Sequence, residues 1–236
     1  MRDAGARAAG RGEAVNGVWR SAFLALLTVG VVGIAAWLVF FSSVLGVRDI
    51  QVRGNLGIPA QQIQQATGVP EGRPLATVDV PEVEERIMKI RQIQSVTVSR
   101  GWPGTLVVEV VEREPVVVVP VGTRYALMDR HGVMTEVRDV APPTLPVLRV
   151  DHPQVGDPAT GAALAVMEAM PDDLIPRIAE MLAPSPETVS LRLKDGRTVM
   201  WGGRDRAADK AKILVTLLKR PADTYDVSSP DVVTVK

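Results

Sequence analysis

Ser21 to Val47 (SAFLALLTVGVVGIAAWLVFFSSVLGV) is a run of 27 residues without a charge, bounded by Arg20 and Arg48. As a helix it would reach about 40 Å, more than the roughly 30 Å of a hydrocarbon core. The run therefore reads as a transmembrane helix over residues 21–46. A cleaved signal peptide fits poorly, because its apolar core spans about 7–15 residues and ends in small side chains. Here Phe40, Phe41, Val44 and Leu45 stand at that end. Arg2, Arg7, Arg11 and Arg20 precede the run against Asp3 and Glu13, a modest bias that places the N-terminus in the cytoplasm. Residues 1–20, rich in Ala, Arg and Gly without apolar periodicity, read as a disordered cytoplasmic tail. Gly30, Gly33 and Trp37 share one face of the helix, and Ser21 with Ala25 gives small-xxx-small spacing, so self-association stays open. Packing against lipid is the default.

The outer part is large enough for one or two domains with cores of their own. Its chemistry is constrained by what the composition lacks. With 27 basic and 27 acidic residues the chain has no net field to attract nucleic acid. No cysteine is present, which removes disulfides, thiol nucleophiles and thiolate metal sites. His131 lies in an expected turn and His152 before a proline, without metal-ligand spacing. Neither a nucleophile elbow nor a phosphate loop occurs, and Asp172-Asp173 beside prolines reads as a solvated helix start. The residues imply no cofactor, no metal and no catalysis.

Directly after the run, Val47 to Arg53 alternates polar with apolar and reads as a strand with Ile50 and Val52 on one face. Pro59 to Thr67 reads as a short helix stopped by Gly68, with Ile58 and Ile63 inward. A second helix opens on the Asp79 and Glu82 capping pattern and carries Val80, Val83, Ile87 and Ile90 at spacings of three and four. Ile93–Arg100 and Thr105–Glu112 are two alternating runs around Gly101-Trp-Pro-Gly104, a hairpin. Two helices over a three-stranded sheet would bury Ile50, Val52, Val96, Val98, Leu106, Val108 and Val110. Trp102 is expected to pack back on its own domain. Glu112-Arg113-Glu114-Pro115 reads as an interdomain hinge, because Pro fixes φ and removes a donor where the strand ends.

From Pro115 onward the pattern changes to short strands, at Val116–Val119, Arg124–Met128 and Val133–Val137, with Asp129-Arg-His-Gly132 as a turn. Thr160–Met170 suits a helix. Ile175–Leu182 is ambiguous between helix and strand. Val189–Leu193 and Thr198–Trp201 flank Lys194-Asp-Gly-Arg197, a strong hairpin signal. A last helix is expected over Arg206–Lys219, followed by strands at Thr224–Val227 and Val232–Val235. The fold class is α+β.

Several short motifs then align in one order: Val47–Asn55 (VRDIQVRGN), Ser99-Arg-Gly-Trp-Pro-Gly-Thr105, Glu112-Arg-Glu-Pro115, Leu127-Met-Asp-Arg-His-Gly132, Leu145-Pro146, Asp195-Gly196 and Tyr225-Asp-Val-Ser-Ser-Pro230. Behind one N-terminal anchor, this order resembles the bacterial FtsQ/DivIB family of cell-division proteins. The resemblance implies a POTRA domain over residues 47–115 and a second, β-rich domain, dominated by an antiparallel-type sheet, over residues 116–236. It also tips Ile178–Leu182 toward a strand. Family members are scaffolds rather than enzymes. The resemblance implies a single-pass protein of the cytoplasmic membrane, enriched at the septum, that binds FtsB (or DivIC) and FtsL and helps control the septal peptidoglycan synthase. The family's C-terminal strands accept a strand from the FtsB-type partner, so the partner role falls on Tyr225, Asp226, Val227, Ser228 and Pro230, and by extension on Val232, Val233 and Val235. A strand at a sheet edge offers unpaired N–H and C=O groups to such a segment. The rival expectation for the valines is that they complete the core. The alternative function for a POTRA domain, a chaperone or translocation component, would need tandem units or a membrane barrel that the remaining residues do not supply.

Overall fold

The computed structural model describes residues 11–231 and 234–235. Helix α1 (Arg11–Phe41) contains the uncharged run only as far as Phe41; the helix expected through residue 46 ends there, and Ser43–Leu45 form a 3-10 turn. Within it Trp19–Phe41, 23 residues of mean hydropathy 2.5, is long and apolar enough to cross a membrane, and none of it is buried by the rest of the chain. The helix starts earlier than expected. Residues 11–20, placed by the sequence in a disordered tail, continue it, since Arg, Glu and Ala are strong helix formers. The remainder of the expected tail, residues 1–10, lies outside the described residues.

The chain groups into two compact units, one comprising α1 and the residues that follow it to Ile87 and resuming at Val96–Val110, the other taking Met88–Ser95 and the described residues from Val111 onward. In the first unit β1 (Asp49–Arg53) is followed by α2 (Ala60–Thr67), a 3-10 turn (Leu75–Thr77), α3 (Val80–Ile87), β2 (Ile93–Gly101) and β3 (Thr105–Glu112). The strand order is β1-β3-β2, with β1 parallel to β3 and Asp49 opposite Thr105. That order decides burial. Central β3 buries Leu106, Val108 and Val110, whereas Ile50 and Val52 on one edge and Val96 on the other are only half-buried, contrary to expectation. Helices α2 and α3 pack together and bury Ile63, Val83 and Ile87. The Asp79 carboxylate accepts from the Glu82 N–H at 3.2 Å to open α3, and Glu82 pairs with Arg86 at 3.7 Å one turn on. The helix stops at Ile87 instead of continuing through Ile90, whose carbonyl accepts from the Ile93 N–H as the chain turns into β2. Trp102 does not pack back on its domain to the extent expected: it is 53% exposed.

No spacer separates α1 from this unit. After one 3-10 turn (Ser43–Leu45), Val47 exchanges hydrogen bonds with the Gly72-Arg73 loop: its N–H donates to Arg73 O at 2.9 Å and its carbonyl accepts from Gly72 N–H at 2.8 Å. The Arg48 N–H donates to Gly104 O at 2.8 Å. Gly46 comes so close to this loop that a Cβ there would stand 2.5 Å from Gly72 O, so only glycine fits without a shift.

The second unit carries a mixed sheet of β4 (Pro115–Val121), β5 (Arg124–Asp129), β6 (Met134–Arg138), β7 (Val147–Arg149), β8 (Ile178–Leu182), β9 (Val189–Leu193), β10 (Thr198–Gly202), β11 (Thr224–Asp226) and β12 (Thr234–Val235). Their order is β12-β11-β10-β9-β8-β7-β4-β5-β6. Most neighbours are antiparallel; β4 with β7, β7 with β8, and β10 with β11 are parallel. Helices α4 (Pro158–Ala169) and α5 (Ala207–Leu217) pack together, and with the inward sheet residues Met181, Leu191, Val199 and Trp201 they enclose one core. The Asp157 side chain caps α4 by accepting from the Thr160 N–H at 2.7 Å. Ile178–Leu182 is a strand, as the resemblance implied, preceded by a 3-10 turn at Ile175–Arg177 that accommodates Pro176.

Candidate functional site

The C-terminal end of the large sheet is built by stacking short strands outward from the β9–β10 hairpin. In β10, Val199 stands opposite Tyr225 of β11, and Met200 opposite Asp226; Tyr225 and Asp226 in turn oppose Val235 and Thr234 of β12. Strand β11 is thus flanked on both sides, and β12 is the outermost strand. A two-residue edge strand leaves its outward backbone groups free to pair with an added strand.

Side chains hold this end in place. The Asp195-Gly196 turn presents Arg197, whose Nη1 donates to Tyr225 Oη at 2.9 Å and to Leu218 O at 3.3 Å, and whose guanidinium lies 5.6 Å from the Tyr225 ring centre. Tyr225 Oη donates to Arg220 O at 2.6 Å, so the buried phenol is fully satisfied. Arg197 Nε donates to Asp195 Oδ2 at 2.8 Å; that bond holds the Asp195 carboxyl below its ordinary pKa, and it raises Arg197 above its own. Past β11, the Ser228 N–H donates to Asp226 Oδ1 at 2.9 Å, and Arg206 reaches both oxygens of Asp231 at 3.0 Å. Arg206 stands at the start of α5 with φ 50 and also pairs with Asp209 at 3.3 Å.

The residues assigned a partner role are distributed as follows. Tyr225 and Val227 are buried, Asp226 and Pro230 are half-buried, and Ser228 is exposed. Val235 lies in β12; Val232 and Val233 lie outside the described residues. Tyr225 and Val227 are part of the core, which for Val227 is what the rival expectation held. Sequence reasoning missed Arg197, Arg206 and Asp231, which fasten the segment. Only the Asp-Gly turn hinted at the first of them.

A second motif pair meets elsewhere in the same unit. Arg113, in the segment read as a hinge, donates from Nη1 to Asp129 Oδ2 at 2.8 Å, and its N–H donates to Gln92 O at 2.7 Å. Asp129 Oδ1 accepts from the N–H groups of His131 and Val133 at 2.9 and 2.8 Å, closing the turn between β5 and β6. Among the described residues, no three His, Cys, Asp or Glu side chains gather in a way that could hold a metal ion.

Comparison with known proteins matches these two regions in sequence order. Residues 45–113 match the model of the POTRA domain, FtsQ-type, and residues 117–232 that of the FtsQ/DivIB C-terminal region of cell-division proteins. A cell division protein FtsQ of Mycolicibacterium smegmatis is 43% identical over 199 residues, covering 84% of this chain and 60% of that protein. The FtsQ of Mycobacterium tuberculosis is 39% identical over 226 residues, covering 94% and 72% respectively. That of Streptomyces bingchenggensis is 34% identical, covering 87% and 80%. The solved extracytoplasmic domain of DivIB from Geobacillus stearothermophilus aligns at 18% identity with a TM-score of 0.36, over 47% of this chain and 98% of that one.

Proposed function

Because this chain belongs to the FtsQ/DivIB family of bacterial cell-division proteins, we propose that it is a scaffold of the division complex and not an enzyme. The observation that carries the reading is the order of parts: an apolar helix able to cross a membrane, then an FtsQ-type POTRA match, then an FtsQ/DivIB C-terminal match. We assign residues 21–46 to the span, 47–115 to the POTRA domain and 116–236 to the β domain. The N-terminus lies in the cytoplasm and both domains outside it, at the septum. There the protein binds an FtsB- or DivIC-type partner and an FtsL-type partner and helps control septal peptidoglycan synthesis. The partner strand adds to β12, which carries Val235 and lies beside Tyr225 and Asp226 of β11; Val227, Ser228 and Pro230 follow β11, and Val232 and Val233, assigned to the same role, lie outside the described residues. Support for that placement comes from the outermost position of β12 in the sheet.

Binding of the outer segment of an FtsB-type protein to the full chain in lipid nanodiscs tests the site. Successive residues of an edge strand aim their N–H groups alternately inward and outward, so one of Thr234→Pro and Val235→Pro removes an outward donor. That variant, and deletion from Ser228 onward, should weaken binding at least about tenfold, whereas Tyr225→Phe, which keeps the buried ring, should bind normally. Unchanged affinity in both the proline pair and the deletion would show that the partner docks elsewhere. Depletion in cells should give filaments.

A further inference from the structure

The half-exposed Trp102 stands on the tip of the β2–β3 hairpin, and the hairpin's position gives it a partner. The Gly104 carbonyl accepts from the N–H groups of Arg48 and Asp49 at 2.8 and 3.4 Å. Trp102 is two residues from Gly104, so its Cα stands within about 7 Å of a loop residue fastened to the exit of α1. On the same side, the Leu75–Thr77 turn packs against α1 itself. The unit therefore meets the end of the apolar helix without a spacer, and its exit-side loops stand at headgroup depth if α1 spans, since the headgroup layer is only about 5–8 Å thick on each side. Phe41, Val44 and Trp102 are apolar and more than half exposed. Exposed Leu56, by contrast, follows the opposite end of β1. Indole, apolar in its body and polar at its N–H, is the side chain that partitions to the membrane–water interface.

We propose that the hairpin tip is a second membrane contact, with Trp102 seated in the headgroup layer beside the end of α1. The inference rests on the reading of α1 as a membrane span. One helix alone leaves a domain free to tilt; a second contact beside it fixes which face of the domain looks along the bilayer. The surface is a continuation of the apolar surface of α1, and the occupant is lipid.

Tryptophan quenching by brominated lipids tests this with the full chain in nanodiscs of phosphatidylethanolamine and phosphatidylglycerol. Trp19→Phe, Trp37→Phe and Trp102→Phe together leave only Trp201, fully buried in the other unit, as the baseline. Restoring Trp37 reports the span, and restoring Trp102 reports the tip. The expected result is loss of Trp37 emission with bromines deep in the acyl chains, and loss and a blue shift of Trp102 emission with bromines near the headgroups. Quenching of Trp37 without quenching of Trp102 would overturn the contact and leave the span intact, as it would if the tip served a protein partner. Absence of both would overturn the span and the contact with it. A second readout uses the absence of native cysteine. A nitroxide on Pro103→Cys should collide with membrane-dissolved oxygen more than with a water-soluble nickel chelate, and the opposite preference would count against the contact.

Discussion

Asp129 is a single side chain asked to do two things at once, closing the β5–β6 turn through two backbone N–H groups and neutralising the mostly buried Arg113. Removing one partner of a buried pair leaves the other charge in a low dielectric, which costs more than the pair itself is worth. Asp129→Ala should therefore lower stability by about 3 kcal/mol, measured by urea unfolding, far more than loss of an exposed pair such as Arg53 with Glu109. Asp195 behaves differently because it is exposed to solvent. Its pKa is lowered chiefly by the hydrogen bond from Arg197, so its contribution to stability is fully present above the ordinary carboxylate pKa and is lost as pH falls through the lowered value, below about pH 4. Arg197→Leu should return the Asp195 titration midpoint toward its ordinary value, as read by carboxyl NMR. The motifs containing these residues were visible in the sequence. Their pairing was not, because Arg113 with Asp129 and Arg197 with Tyr225 are joined across strands whose order no local pattern encodes.

At the scale of the element, legibility follows length and periodicity. The β2–β3 hairpin and the Asp-Gly hairpin were evident because alternating runs flanked strong turn residues. Strand β7 went unseen because Val147–Arg149 is three residues long, too short to show alternation. Half-burial of Ile50, Val52 and Val96 was hidden for another reason: alternation tells which face a residue takes, and only strand order tells how deep that face lies. The junction at Gly46 is also an element-scale feature. Gly46→Ala would drive a Cβ into backbone atoms of Gly72, where no rotamer can give way. It should cost about 1–3 kcal/mol and speed amide exchange at Val47 and Gly72 before it affects the second unit.

For the whole molecule, the proposed orientation predicts that a reporter active only outside the cytoplasm works when fused after Lys236 and fails at the N-terminus; the reverse pattern would invert the topology. The missing spacer between α1 and the first unit then gains a mechanical meaning. With the chain fastened at Val47 and Arg48 and the Leu75–Thr77 turn packed against α1, a twist of the helix about its axis is expected to change the heading of the unit. One residue inserted within the span would turn the heading by about 100° and raise it by about 1.5 Å, and inserting a full turn of roughly four residues would nearly restore it. Division activity should therefore fall and recover periodically with insertion length. Residues of the span would thus set the direction in which the first unit faces.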